Sequence, residues 1–348
     1  MLKRIKIHML QAAASCGVSR LLLDSAWRRN RLLILCYHGF AREDEHLWDP
    51  CLYMSPATFW RRLELLHEHR CTVLPLGEAL QRLRAGTLPS RSVAITVDDG
   101  TYDFYKVAFP AFQNAGFPVT VYLTTYYSEF NRPVFDTTLG YLLWKARDTM
   151  FNWPRVLETA IRLEPAAIPR VKRRVCDYCR SGGLSGRDKD ALLAELASRI
   201  GFDYEALCSK RLFTLMTPQE VAEVAAAGID IQLHTHRHRV FRKKEKFLRE
   251  LDDNQSRIHA VTGSDPRHFC YPSGNILPEF VPWLEEWGVT SATTCQTGLA
   301  GRASHPMMLP RLVDVSGLSE TEFKAWISGV AALLPQRPYV PDYWSLES

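Results

Sequence analysis

Apolar and polar positions along this chain follow two different rhythms. Short strand-like runs cover residues 32–37, 72–75, 93–97, 119–124, 229–233, 267–271 and 289–293. Each is too short for a helix and continuous enough to be a strand buried on both faces. Between them the spacing is helical. Ser55 and Pro56 open a helix that runs to Leu66, with a hydroxyl cap and a first-turn proline. A second helix spans Asp103 to Ala115 and stops at Gly116. Thr217-Pro218-Gln219-Glu220 begins a third, ended by Gly228. Repeated β-α units of this kind predict a parallel sheet, and a barrel and a doubly wound sheet fit the pattern equally well.

The alternation stops between 127 and 215. That stretch is rich in Leu, Ala and Arg at helical spacing, with Pro165, Pro169 and Gly182-Gly183 as breaks. It reads as a helical insertion placed beside the substrate cleft, with a purely structural lid as the alternative. The organisation expected is an amphipathic helical lead-in over 1–30, a core domain over 31–126 and 216–335, the insertion over 127–215, and a proline-rich, aromatic tail over 336–348.

Composition narrows the setting. A 46% hydrophobic fraction supplies a substantial core. No run of about eighteen uncharged apolar residues is present, so no transmembrane helix is expected. The basic start, Lys3-Arg4-Ile5-Lys6, resembles the opening of a signal peptide, but His8 and Gln11 interrupt the apolar stretch behind it. Nine cysteines, an odd number, include Cys36, Cys270 and Cys295 inside strand-like runs, which suits reduced thiols and a cytoplasmic setting. Cys176 and Cys179 have no second pair to complete a zinc ribbon. The net charge of +5 is concentrated at Arg237, Arg239, Arg242, Lys243, Lys244 and Lys246. A solvated helix start accounts for that cluster, and an anionic-lipid or phosphate surface is the sharper alternative. With Lys3, Arg4, Lys6, Arg28, Arg29, Arg31 and Trp27 it suggests peripheral contact with an anionic membrane. No nucleic-acid motif accompanies the basic residues.

Chemistry concentrates at three strand ends. Thr96-Val97-Asp98-Asp99-Gly100 puts two adjacent carboxylates where a buried strand gives way to a loop. Neighbouring anions repel unless a cation or donor neutralises one of them. His234-Thr235-His236-Arg237-His238 follows a second strand and spaces two imidazoles four residues apart. Two imidazoles and one carboxylate, with a position left for water, form the ligand set of a catalytic zinc site. The histidine pair alone is weak, because surface histidines recur at that spacing. Arg267-His268-Phe269-Cys270-Tyr271-Pro272-Ser273-Gly274 is the third segment.

Taken in order, the three segments resemble the motifs T-F-D-D-G, H-[ST]-x-x-H and R-x-x-x-Y-P-x-G of the NodB-homology polysaccharide deacetylases, carbohydrate esterase family 4. The resemblance covers about residues 32–315. It implies an irregular (β/α)7 barrel and a divalent metal, zinc first, held by Asp99, His234 and His238. It also implies that Asp98 is the base acting on the metal-bound water and that Arg267 keeps that base ionised and aimed. Tyr271 is the residue whose backbone N–H is expected to steady the oxyanion.

Two family features are missing. The fifth motif, which supplies a histidine general acid, has His305 as its late counterpart at a poorly matching spacing, and an ordinary loop histidine fits as well. The aromatic fourth motif is not recognisable around Thr293-Thr294-Cys295. Instead Tyr37-His38, after the first apolar run, resembles the opening motif of the deacetylases acting on exopolysaccharides. His38 is therefore a second candidate acid, with a strand-capping histidine as the alternative.

The expected activity is hydrolytic removal of N-acetyl groups from the amino sugars of a polysaccharide or glycoconjugate. Two alternatives stand beside it: deformylation or deacetylation of a lipid-phosphate-linked sugar at the inner membrane, and a catalytically silent carbohydrate-binding relative. The expected partner is an N-acylated carbohydrate, and the expected location cytoplasmic, peripheral at the inner membrane.

Overall fold

The computed structural model describes residues 2–336, 338–340 and 346–347. Most of the tail expected over 336–348 lies outside the described residues. The chain divides into two compact units, Met1–Tyr126 with Met216–Ser348, and Tyr127–Leu215.

Seven parallel strands make the first unit: β1 (Arg31–Tyr37), β2 (Ser92–Asp99), β3 (Val119–Leu123), β4 (Asp230–Leu233), β5 (His268–Cys270), β6 (Ser291–Thr293) and β7 (Leu312–Val313). Each pairs with the next from β1 to β6. The ring closes because Thr293 bridges to Leu309, and Leu312 and Val313 pair with Leu35 and Cys36. The irregular (β/α)7 barrel expected from the sequence is borne out. A two-residue strand, Thr72–Val73, sits on Ser92–Val93 as an extra branch, and Ala300–Gly301 adds an antiparallel rung to β1.

Helix boundaries follow local chemistry. Ser55 accepts the Thr58 N–H at the start of Pro56–Glu68, and Thr217 forms a full capping box with Glu220 at the start of Pro218–Ala226. Gly116, at φ 65°, ends the segment opened by Asp103, though its first turns, Phe104–Ala108, are π-helical and not α.

Strand periodicity sorts the side chains. Leu33, Leu35, Tyr37, Val93, Ile95 and Val97 belong to the large core under the outer helices. Leu32, Ile34 and Ala94, one residue out of phase, belong to the inner cluster with Leu76, Leu80 and Leu83. Period two therefore carries Cys36, Thr96 and Asp98 to the inner face at the carboxyl-terminal rim.

Residues 2–29 form three helices, Leu2–Ser15, Val18–Leu23 and Ala26–Arg29. Arg28 is wholly buried and donates from Nε to the Ile327 carbonyl at 2.8 Å, from Nη1 to Arg31 at 2.7 Å and from Nη2 to Ser92 at 3.4 Å. It thereby joins the helix Glu320–Ser328 to the starts of β1 and β2. No helix among the described residues is long and apolar enough to cross a membrane.

The second unit is helical. Ile168–Ser181 and Gly186–Arg199 both pack on Phe135–Lys145, and buried Trp153 donates to Glu195 at 2.8 Å. Cys176 donates to Asp136 at 3.3 Å, and neither Cys176 nor Cys179 belongs to a metal-competent group among the described residues.

Candidate active site

β2 ends at Asp99, whose φ of 70° turns the chain sharply at the rim. Gly100 continues the turn at φ 78°, and a Cβ there would meet Leu123 Cδ1 at 2.4 Å, so only glycine fits. β4 ends one residue before His234, and Thr235 and His238 are also left-handed, at φ 60° and 55°. Non-glycine residues held in this region mark a loop whose backbone is set by its surroundings.

Those turns bring three donors together. Asp99 Oδ1 lies 3.2 Å from His234 Nε2 and 3.3 Å from His238 Nε2. The two imidazoles are 4.9 Å apart between centroids. His234 Nδ1 is 2.8 Å from the Cys270 carbonyl, which can only accept, so Nδ1 carries the proton and Nε2 offers a lone pair. Asp99 Oδ1 is buried without a hydrogen-bond partner among the described residues. Separations near 3.3 Å match the edge of a tetrahedron with bonds of about 2.0–2.1 Å. The residues therefore fit a divalent cation, and the donor set is one that zinc accepts. Asn254 supports them from the helix Lys244–Thr262. It is fully buried, accepts the His234 N–H at 2.9 Å, and donates to Leu123 O and Thr125 Oγ1, each at 3.0 Å.

Asp98 sits beside this group under a different partner. Arg311 grips it in a two-pronged pair, Nη1 to Oδ1 at 2.7 Å and Nη2 to Oδ2 at 2.8 Å. The guanidinium is itself fixed by Thr294 O at 3.0 Å, Thr96 Oγ1 at 3.1 Å and Cys270 Sγ at 3.1 Å. Burial alone would raise the Asp98 pKa, but the guanidinium outweighs it and holds the carboxyl well below its usual range. Burial likewise pushes Asp99 up, and His238 and His234 outweigh that and hold it down.

Residues 191–292 match the sequence profile of the polysaccharide deacetylase family, a span that contains both the histidine pair and the third segment. Over that span the chain is similar to the polysaccharide deacetylases. By class it is a hydrolase of non-peptide carbon–nitrogen amide bonds. Solved structures share the fold at low identity. The Streptococcus pyogenes deacetylase PplD, in complex with acetate, is 16% identical at a TM-score of 0.56, covering 88% of this chain and 99% of that one. IcaB from Ammonifex degensii is 16% identical at 0.54, over 86% and 97%. The de-N-acetylase from Aggregatibacter actinomycetemcomitans is 13% identical at 0.53, over 85% and 99%. Among curated proteins no match is found.

Within this deacetylase fold three residues named from the sequence stand elsewhere than expected. Arg267 is exposed and does not hold Asp98; its backbone N–H donates to Gln232 at 2.8 Å, and Arg311 takes the partnership instead. The reason is register: position 267 precedes β5, while 311 adjoins β7 and reaches the inner face. The Tyr271 N–H is directed at Thr293 O, at 3.4 Å, within the sheet, and its hydroxyl donates to Met307 O at 3.0 Å. Pro272 has no N–H, so the next one in the loop belongs to Ser273, exposed at φ 54°. His305 is exposed and caps the turn Pro306–Met308 by accepting the Met307 N–H at 3.1 Å. His38, by contrast, reaches the site, with Nε2 at 3.5 Å from Asp98 Oδ2.

Sequence reasoning missed Arg311. Its one signal was a cationic residue next to the apolar pair Leu312-Val313, which makes sense only if a buried anion waits for it. The basic cluster is partly neutralised: Arg237 pairs with Glu250 at 2.6 Å and Lys244 pairs with Glu286. Arg242, Lys243 and Arg249 are exposed.

Proposed function

We propose that the chain is a metal-dependent de-N-acetylase of amino sugars in a polysaccharide or glycoconjugate. The observation that carries the reading is Asp99 Oδ1, buried and unpaired between two imidazole nitrogens, one residue from a carboxylate clamped by arginine. Asp99, His234 and His238 would hold a divalent ion, zinc by donor type. When bound, such an ion lowers the pKa of water to about 7 and polarises a carbonyl.

The rest is done by the chain's own groups. Asp98, ionised and aimed by Arg311, accepts a proton from the attacking water. The Ser273 N–H, in place of Tyr271, supports the developing oxyanion. His38, a fifth exposed and close to Asp98 Oδ2, is the candidate that protonates the leaving amine, because His305 is occupied as a cap.

The test pairs metal analysis with acetate release from N-acetylated glucosamine oligomers. Asp98→Asn should keep the metal and lose turnover, whereas Asp99→Ala, His234→Ala and His238→Ala should lose both. Full turnover in Asp98→Asn overturns the mechanism. Formate release from a lipid-phosphate-linked sugar, with no acetate from oligomers, would favour the inner-membrane alternative. The partial neutralisation of the basic cluster weighs against that alternative.

A further inference from the structure

The turn that carries the Ser273 N–H is held from the far end of the chain. Ser273, at φ 54° and ψ 22°, and Gly274, at φ 61°, are two left-handed residues in a row. A non-glycine residue in that region is costly and persists only where its surroundings over-determine it. Two bonds inside the turn contribute, from the Gly274 N–H to Tyr271 O at 2.9 Å and from the Asn275 N–H to Pro272 O at 3.1 Å. A third comes from the tail. The Tyr339 hydroxyl donates to the Ser273 carbonyl at 2.7 Å, across 66 residues of sequence. Its ring lies against Gly274, where a Cβ would stand 2.5 Å from Tyr339 Cε1 and 3.0 Å from Cζ. Gly274 is buried, while Ser273 beside it stays exposed. Tyr339 is fixed in turn by its own N–H, which donates to Gln296 Oε1 at 3.1 Å. The Gln296 carbonyl accepts the N–H of Arg311, the arginine that clamps Asp98, at 2.9 Å. Further along, Leu346–Glu347 pairs in parallel with Val240–Phe241, two residues beyond His238. The tail thus meets the loops after β4 and β5, the two that carry His238 and Ser273.

We infer that Tyr339 is a positioning residue for the reaction, acting through Ser273: it tethers the left-handed turn that presents the Ser273 N–H to the developing oxyanion. The inference rests on the function proposed above. A donor of this kind is effective because it is fixed before the charge appears. A turn free to relax toward ordinary right-handed backbone would rotate the peptide between Pro272 and Ser273 and carry its N–H off line. The tether is therefore felt where the oxyanion forms, in the transition state, and not in binding of the neutral amide. Loosening it should lower kcat and kcat/KM by the same factor and leave KM as it was. The ring and the hydroxyl have separable parts in this. The ring covers Gly274, and the hydroxyl holds the Ser273 carbonyl.

The test compares the full-length native protein with Tyr339→Phe and Tyr339→Leu. Steady-state acetate release from N-acetylated glucosamine oligomers is measured beside amide exchange at Gly274 and Asn275. Tyr339 is 39% exposed, so both variants should fold with native Tm and metal content. Tyr339→Phe keeps the ring and loses the tether. Its two reporter amides should exchange about fivefold faster, the factor that one hydrogen bond is worth. Its kcat should fall about tenfold at unchanged KM, less than the roughly 100-fold that follows outright loss of an oxyanion donor. Tyr339→Leu removes the cover as well and should exceed Tyr339→Phe in both readouts. Val340→Ala, at the neighbouring and 80% exposed position, should behave as the native protein. Unchanged exchange in Tyr339→Phe overturns the tether. A raised KM at native kcat would make the ring a substrate contact and overturn the positioning role, as would native kinetics in Tyr339→Leu. Exchange needs no substrate. Amides that respond as expected in a protein releasing no acetate would support the tether and refute the function proposed above.

Discussion

Replacing Arg311 tests whether the arginine that matters to the base is the one on the last strand. The guanidinium is wholly buried and makes five polar contacts, two of them to the Asp98 carboxylate. Arg311→Met would leave a buried carboxylate without its countercharge, which costs about 3–5 kcal/mol. At about 2–4 °C per kcal/mol for a domain of this size, Tm should fall by roughly 10 °C. The double variant Asp98→Asn with Arg311→Met removes the charge along with its partner and should recover most of that loss. Arg311→Lys keeps a charge but not the two-pronged geometry. A misaimed base costs about 100-fold in rate, so kcat for acetate release should fall by that order with KM little changed. Arg267→Ala is the control. Its side chain is exposed and its backbone bond to Gln232 survives, so stability should move by less than about 0.5 kcal/mol. Thermal unfolding and steady-state kinetics on the four proteins decide the matter. Native kcat in Arg311→Lys, or an Arg267→Ala protein as crippled as Arg311→Lys is expected to be, would refute the assignment.

Asn254→Ala should strand the His234 N–H and take a donor from the Leu123 carbonyl and from the Thr125 hydroxyl, which keeps His236, lowering stability by about 1–3 kcal/mol. It should also weaken metal retention by about 10–100-fold in dialysis against a chelator, whereas a merely structural role would leave metal affinity alone. Asp103, buried against Thr101 and the Phe40 N–H, is pushed up to about 7 by burial, with Glu45 adding and the hydrogen bonds and Arg42 opposing. Because the fold raises this pKa, the protonated form's contribution is complete below the unfolded value and is lost as pH rises through about 7. Asp103→Asn cannot lose that proton, so its Tm relative to native should improve between about pH 5 and about pH 8; a constant difference would contradict the shift. Gly100→Ala should lower stability measurably, since its Cβ would strike Leu123 at 2.4 Å in a left-handed turn.

The barrel was readable because its strands are short, apolar and punctuated by residues with one conformational job. Ser55, Pro56, Gly116 and the Thr217–Glu220 box announce helix ends through local hydrogen bonding, which needs no tertiary context. The carboxylate pair and the histidine pair were readable for a related reason: polar groups at the ends of buried strands must find partners. What escaped depends on closure. Arg311 meets Asp98 only because the segment 309–313 completes the ring, a contact spanning more than two hundred residues. Arg267 was misplaced because a motif's spacing does not say which side of a strand end a residue occupies. The loss of the Tyr271 N–H to the sheet follows from pairing register, and the contact of Tyr339 with Ser273 from where the tail docks on the closed ring. Neither has a one-dimensional trace.

Arg28 carries one more consequence. A cation sunk among three carbonyls far from the catalytic rim acts like a keystone, locking the last helix to the beginnings of two strands. A shortened protein starting at the first strand would leave those oxygens dry and the closing helix unanchored. Such a fragment should melt in stages where the native chain melts at once, and amide exchange should be fastest in the helix Glu320–Ser328.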